Sequence, residues 1–243
     1  MKKITKTWIY SLAIMGAFLM IISGCKKNND NSNPTPSSGT VTDIDGNVYR
    51  TITIGNQVWM TENLKTTKYN DGTSILLVTD SALWVNLLTP GFCWYNNDTV
   101  AYKNTYGALY NWYAVNTGKI APKGWHVPTD GEWNIMEKYL DNTVDTTAAG
   151  MVGTDIGGKL KETGTTHWES PNTGATNISG FTALPGGYRS GTFLGIGSNG
   201  CWWSATASGA TNAWDRFFRH DYANVDRGSY SKADGYSVRC IKD

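Results

Sequence analysis

Apolar runs long enough to cross a membrane are missing from this chain of 243 residues. The longest apolar stretch, Ile9 to Ile22, falls short of the roughly 20 residues that a spanning helix needs. Cysteine is scarce, at four residues. No two cysteines form a Cys-x-x-Cys pair or sit beside histidine at metal spacing, which argues against a zinc site. The three histidines, His126, His167 and His220, are scattered, unlike the clustered set of an iron centre. An excess of one charge is missing too: 21 Lys and Arg face 20 Asp and Glu, and no basic patch points to nucleic acid. Ser204, His220 and Asp215 supply the residue types of a hydrolase triad, but no G-x-S-x-G presents the serine. Catalysis therefore has no signature in this chain.

The start of the chain carries an export signal. Lys2, Lys3 and Lys6 precede the apolar stretch and Ser23-Gly24-Cys25 closes it, matching a secretory peptide over residues 1–24. Ile22-Ser23-Gly24-Cys25 resembles a bacterial lipobox, which implies acylation of Cys25 and anchoring in a lipid bilayer. After Cys25 the segment KKNNDNSNPTPSSG has no aliphatic or aromatic residue, so residues 25–39 are expected to be a flexible tether. Lys26 after the cysteine resembles the sorting pattern for export to the outer membrane. The expected location is the bacterial outer membrane, lipid-anchored, periplasmic or surface-exposed.

Residues 40–243 suffice for one domain. Ten of the eleven tryptophans lie beyond residue 50, alongside thirteen tyrosines and only six phenylalanines in the chain. Trp and Tyr prevail where a ring buries one end and hydrogen-bonds at the other, which suits a loop-rich core or a binding surface. From Val41 to Trp59 two alternating runs are punctuated by Asp45-Gly46 and Gly55-Asn56, a hairpin pattern. Asp43, Asp45 and Asn47 imitate the start of a calcium loop but lack its bidentate glutamate, so a turn is expected. Residues 81–88 suggest a short helix. Tyr106, Leu109, Tyr110 and Tyr113 fall at helical spacing and predict a helix over 105–116, stopped by Gly118. A capping box at Thr129 and Glu132 predicts a second, with Trp133, Met136, Tyr139 and Leu140 on one face. Beyond Asn142 the helical period ends, and short strands are expected around 181–184, 201–205, 213–218 and 236–241. The run from Thr165 to Trp203, crowded with Gly, Asn and Thr, reads as scaffold pinned by Trp168, Phe181, Trp202 and Trp203. Two helices followed by late strands indicate an α+β domain.

The strings VTDIDGNVYRTITIGNQVWMTENLK, CWYNND, YGALYNWYAV, PKGWHVPTDGEW, GGKLKETGTTHW, GFTALPGGYR, WWSAT and GYSVRC follow one another in order. Together they resemble the Fibrobacter succinogenes major paralogous domain, over nearly all of the chain beyond residue 40. The resemblance implies a C-type-lectin-like fold of the formylglycine-generating-enzyme type, with two helices, short antiparallel strands and a long loop-rich region. It also implies a disulfide to the position of Cys240. Ala121 stands where relatives carry the partner, so Cys93 or Cys201 would have to supply it; the expected pair is Cys93 with Cys240. Kinship with formylglycine-generating enzymes would imply a copper oxidase using a cysteine pair, yet no two cysteines lie close together near the C-terminus. Calcium-dependent sugar lectins carry E-P-N or Q-P-D and W-N-D triplets. Here Ser170-Pro171-Asn172 and Trp202-Trp203-Ser204 stand instead, so calcium lacks motif support and no cofactor is expected.

Between Ser204 and Asp234 the chain mixes rigid aromatics, guanidinium groups and small polar residues, a composition that recognition surfaces favour. The expected ligand-binding residues are Trp214, Arg216, Arg219, His220, Tyr222, Asn224 and Arg227, with Tyr230 close by. Alternation from Trp214 to Phe218 equally describes a strand with one buried face, in which Trp214, Phe217 or Phe218 belongs to the core. The expected function is a binding or adhesion module for an extracellular glycan or protein. Its alternatives are a surface receptor diversified by a retroelement over residues 204–234, and an oxidase. Replacement of Trp214, Arg216 or Arg219 is expected to abolish binding without unfolding.

Overall fold

A computed structural model describes residues 38–243, so the export signal, Cys25 and nearly all of the tether lie outside the described residues. Three antiparallel strands come first: β1 (Ser38–Thr42), β2 (Val48–Ile54) and β3 (Gln57–Met60). Gly46 and Gly55 turn between them at φ +83° and +62°, a region that glycine enters without strain. In the first turn Asp43 accepts the backbone N–H groups of Asp45 and Asn47 through Oδ1 and the Tyr49 hydroxyl through Oδ2. The calcium-like spelling thus serves a side-chain-locked turn.

Helix α1 (Ser81–Val85), strand β4 (Phe92–Cys93), helix α2 (Thr99–Tyr106), strand β5 (Leu109–Asn111) and the single-turn helix α3 (Trp112–Val115) follow. They correct the continuous helix predicted over 105–116. Gly107 breaks it at φ +76°, where a Cβ would stand 2.8 Å from Asn63 Cβ and Leu64 O. Tyr106 ends α2, Leu109 and Tyr110 enter β5, and Tyr113 falls in α3. Tyr110 is fully buried and donates its hydroxyl to Thr66 O at 2.7 Å.

Strand β6 (Trp125–His126) leads into α4 (Asp130–Leu140), at 11 residues the longest helix among the described residues. Thr129 Oγ1 accepts the Glu132 N–H, and Glu132 Oε2 accepts the Thr129 N–H at 2.7 Å, so the predicted capping box is present. Trp133 and Met136 are buried as expected, whereas Tyr139 is exposed and lies over Gly55. Thr129→Ala is expected to cost about 1 kcal/mol, read as a lower urea midpoint.

The remaining elements are strands, apart from one short helix, with loop over 161–185: β7 (Gly150–Val152), α5 (Ile156–Leu160), β8 (Gly186–Ser190), β9 (Thr192–Ile196), β10 (Asn199–Ala207), β11 (Asn212–Arg219), β12 (Val225–Arg227), β13 (Ser229–Ser231), β14 (Gly235–Tyr236) and β15 (Ile241–Lys242). The strands expected over 201–205 and 213–218 lie inside β10 and β11, and 236–241 divides between β14 and β15. Residues 181–184 supply only an isolated bridge from Ala183 to Lys161. The β8–β9 hairpin escapes sequence reading because glycine interrupts its alternation.

One sheet has five strands in the order β1-β2-β3-β15-β6. The other has ten, in the order β4-β5-β14-β8-β10-β11-β12-β7, with β13 on β11 and β9 on β8. The expected α+β, C-type-lectin-like arrangement of two helices with short strands is thereby overturned. The described protein is mostly β, and its larger sheet curls as a half-barrel. The closing GYSVRC segment and the two residues after it join both sheets: β14 pairs with β5 and β8, and β15 inserts between β3 and β6. Between them Arg239 is fully buried, donating to the Phe181 and Thr182 carbonyls and to Asn63 Oδ1. Asn63 Oδ1 also accepts the Trp202 indole N–H at 2.8 Å. No described helix is long and apolar enough to cross a membrane.

Candidate functional site

Strand register sorts the late polar interval onto two faces. Residues directly opposite in an antiparallel pair share a face, and neighbours along a strand alternate. Cys201 faces Phe217, Trp203 faces Asp215, Phe217 faces Asp226 and Ala213 faces Tyr230, so these residues occupy one face. Trp202 faces Arg216 and Gly200 faces Phe218, placing Trp202, Arg216 and Phe218 on the other. Arg227, one residue beyond Asp226, joins that second face.

The second face packs against α4 and takes two of the expected ligand-binding residues with it. Arg216 is fully buried; its Nε donates to Glu137 Oε1 at 2.6 Å, Nη1 to Asp130 Oδ1 at 2.8 Å and Nη2 to Asn134 Oδ1 at 2.8 Å. Arg227, also buried, donates to both Asp130 oxygens and to Ala148 O. Burial alone would raise the Asp130 carboxyl, but Arg227 and Arg216 bring it below its ordinary value. Both guanidinium groups are therefore spent inside the fold. Trp214 is half-buried, with the Arg227 guanidinium 4.1 Å from its ring centre. Phe218 is core, as one of the three alternatives had it.

Arg219, His220 and Tyr222 lie where β11 ends. Arg219 pairs with Asp221 at 2.9 Å and sits 4.7 Å from the exposed Tyr222 ring. His220 Nδ1 meets Ser170 O at 2.9 Å. Asn224 is half-buried, and its Oδ1 has no hydrogen-bond partner. These residues share a neighbourhood with one another rather than with Arg216.

The first face gathers side chains that sequence reading did not bring together. Tyr188, Phe217, Tyr230 and Tyr236 form a closed quartet of rings. Centroids lie 5.7 Å apart for Tyr188 and Phe217, 6.4 Å for Phe217 and Tyr230, 6.3 Å for Tyr230 and Tyr236, and 5.9 Å for Tyr236 and Tyr188. Tyr236 stacks in turn on Trp203 at 4.3 Å. The quartet has a buried side and an open one: Tyr236 is buried, Tyr188 and Phe217 are half-buried, and Tyr230 is 38 % exposed. Tyr188 and Tyr236 arrive through the pairing of β8 with β14, a contact that no local spacing announces.

Beside the quartet lies Asp215, fully buried, with no hydrogen-bond donor to either carboxyl oxygen. Gly228 makes room for it: a Cβ there would stand 2.5 Å from Asp215 Oδ1 and 2.3 Å from the Tyr230 ring. Burial, with the charges of Asp226 and Asp234 adding to it against Arg216, holds the Asp215 carboxyl well above the usual range. Burial likewise raises Asp226 and Asp234. It also pushes the Tyr230 hydroxyl up to about 12, with Asp226 and Asp215 contributing. The nearby cations have other partners: Arg219 lowers Asp226 without cancelling the effect of burial, and its guanidinium pairs with Asp221. Arg216 turns to the opposite face, Lys232 donates to Gly209 O and Ala210 O, and Arg189 donates to Val78 O and Thr79 O.

The reactive residue types lie apart. Cys93, Cys201 and Cys240 are all free and buried, so the disulfide expected between Cys93 and Cys240 is not formed. Cys93 packs with Trp84 and Leu109, whereas Cys201 and Cys240 belong to another part of the core. Burial pushes the Cys93 thiol up to about 11 and raises Cys201 and Cys240 as well, opposite to the shift that makes a thiolate nucleophile. Ser204 is buried and hydrogen-bonds the Thr206 N–H, apart from both His220 and Asp215. His126 is held between Asp243 and Glu132, and His167 by Glu162. Among the described residues no three His, Cys, Asp or Glu side chains gather as a set that could hold a metal ion.

No curated protein and no solved structure matches the chain significantly. The model of the Fibrobacter succinogenes major domain does match, over residues 52–242, which takes in β3 to β15 with the quartet, Asp215 and the buried arginine network. The chain is a member of the Fibrobacter succinogenes major domain family.

Proposed function

We propose that this protein is a lipid-anchored binding module of the bacterial outer membrane, recognising a glycan or protein ligand through the aromatic face of its larger sheet. The observation that carries the reading is the partly exposed ring quartet mounted on paired strands beside a carboxyl group that no protein group satisfies. Aromatic rings fixed by a sheet give contact area with little loss of side-chain freedom on binding, which is how recognition surfaces gain affinity. The protonated, enclosed thiols and the separately engaged histidines support binding over catalysis. The lipobox-like Ile22-Ser23-Gly24-Cys25 and the tether that follows support the anchor.

Two measurements test the proposal. Cys25→Ala is expected to move the protein from the membrane fraction to the soluble one; unchanged partitioning contradicts the anchor. On immobilised glycans and cell-surface proteins the protein is expected to be retained, and Tyr230→Ala to lose retention while circular dichroism stays unchanged. A ligand held equally by Tyr230→Ala moves the site elsewhere, and turnover of any ligand would favour an enzyme.

A further inference from the structure

We propose that the quartet of Tyr188, Phe217, Tyr230 and Tyr236, with Asp215 beside it, receives an organic ammonium group of the ligand. The inference rests on the binding-module reading and names the chemistry that its site selects. An aromatic face is negative at its centre and attracts a cation within about 6 Å of the ring centroid. Neighbouring centroids 5.7, 6.4, 6.3 and 5.9 Å apart put a cation seated at the open side, by the exposed Tyr230, within that reach of more than one ring.

The carboxyl groups supply the second, independent reason. A fully buried side chain with two unpartnered acceptor oxygens is costly unless something else satisfies it. Asp215 lies against the Tyr230 ring, and Asp226 shares the face through its pairing with Phe217. Asp234 adds its charge to Asp215, Tyr188 and Tyr236. Three acids and four rings thus favour positive charge: Arg219 offsets the rise of Asp226 only in part and pairs with Asp221, while Arg216, Lys232 and Arg189 are bound elsewhere.

The class of cation follows from the donor set. A metal ion needs several oxygen ligands converging at bonding distance, and these carboxylates do not gather as such a set. Ring faces offer no such ligand. They do suit a bulky, weakly hydrated alkylammonium, which keeps its charge while presenting apolar surface. A neutral sugar would stack on the rings and leave the acids uncompensated.

Tetramethylammonium chloride titrated into the protein, against sodium chloride at equal ionic strength, tests this by the ring-proton NMR shifts of the aromatic residues. The expected result is a saturable response, with uncharged tert-butanol at least about tenfold weaker. Tyr230→Ala at the exposed edge and Asp215→Asn beside the rings are each expected to weaken tetramethylammonium by about tenfold with thermal melting still cooperative. Equal binding of tert-butanol, no saturable response, or an affinity unchanged in Tyr230→Ala would each overturn the proposal. Choline and glucosamine as competitors distinguish a headgroup from an amino-sugar source of the same charge. Retention on the glycan and protein surfaces without any tetramethylammonium response would overturn the ammonium assignment alone and leave the binding module standing.

Discussion

Arg216→Met is expected to destabilise the protein by about 3–5 kcal/mol, seen as a large fall in the urea unfolding midpoint. The reason lies on the α4 side of the sheet. Arg216 is buried against Glu137, itself fully buried, at 2.6 Å, and it shares Asp130 with Arg227. Removing the guanidinium leaves the Glu137 carboxyl in the interior with one oxygen already unpartnered and the other newly so. A buried charge that loses its partner costs far more than the intact pair contributes. The double variant Arg216→Met with Glu137→Leu removes both charges, and most of the lost stability is expected to return, because Asp130 keeps Arg227. An unchanged midpoint in Arg216→Met would mean that the network does not exist as described. The sequence-based expectation that Arg216 could be replaced without unfolding is withdrawn, since the residue belongs to the core and not to a surface.

That reversal marks what a sequence of this kind discloses. Strand β11 reads NAWDRFFR, and its alternation is visible, but the pattern alone does not say that both faces are buried. Charged residues ordinarily mark the solvent side, so Arg216 and Arg227 looked available. Their partners sit 79 to 97 residues away on α4, beyond any local window. The hairpin turns at Gly46 and Gly55 and the capping box of α4 were legible because each is fixed within a few residues. The helix expected over 105–116 failed for the converse reason: its aromatic spacing was local, but Gly107 and the pairing of Tyr110 with Tyr236 decided the outcome. The fold class failed with it, since the middle of that predicted helix became β5, a short strand of the ten-stranded sheet. The ring quartet draws on β8, β11, β13 and β14, so only sheet order could assemble it. Phe217 and Tyr230 were visible as aromatics of the late interval; Tyr188 and Tyr236 were hidden within motifs that read as scaffold.

Asp215→Asn is expected to be more favourable to folding the higher the pH, a trend opposite to the usual loss when a carboxylate is removed. The unfolded carboxyl titrates near the ordinary Asp value of about 3.9, while burial, helped by Asp226 and Asp234, holds the folded one well above its usual range. Between those two values the native state binds a proton that the unfolded state has lost. Stability therefore falls as pH rises from about 4 until the folded pKa is passed, by about 1.4 kcal/mol for each unit of difference, and is constant below both values. The groups around Asp215 do not reverse that sign. Asp226 on β12 and Asp234 beyond β13 are raised in the same direction, and Tyr188, Tyr230, Tyr236 and Cys201 are all raised, so they remain neutral through the acid range. Arg216 pulls downward but is committed to Glu137 and Asp130. Asparagine keeps the shape without the charge and adds an unpaired amide at a cost of about 1 kcal/mol. At pH 4 the variant is therefore expected to melt slightly below the wild type, and at pH 8 above it. A difference that does not grow with pH would place Asp215 in contact with solvent or a donor. Tetramethylammonium adds a further contrast at pH 8: it favours the ionised form of Asp215, so it is expected to raise the melting temperature of the wild type and to do far less for Asp215→Asn. An acid retained only for packing would leave the two proteins responding alike.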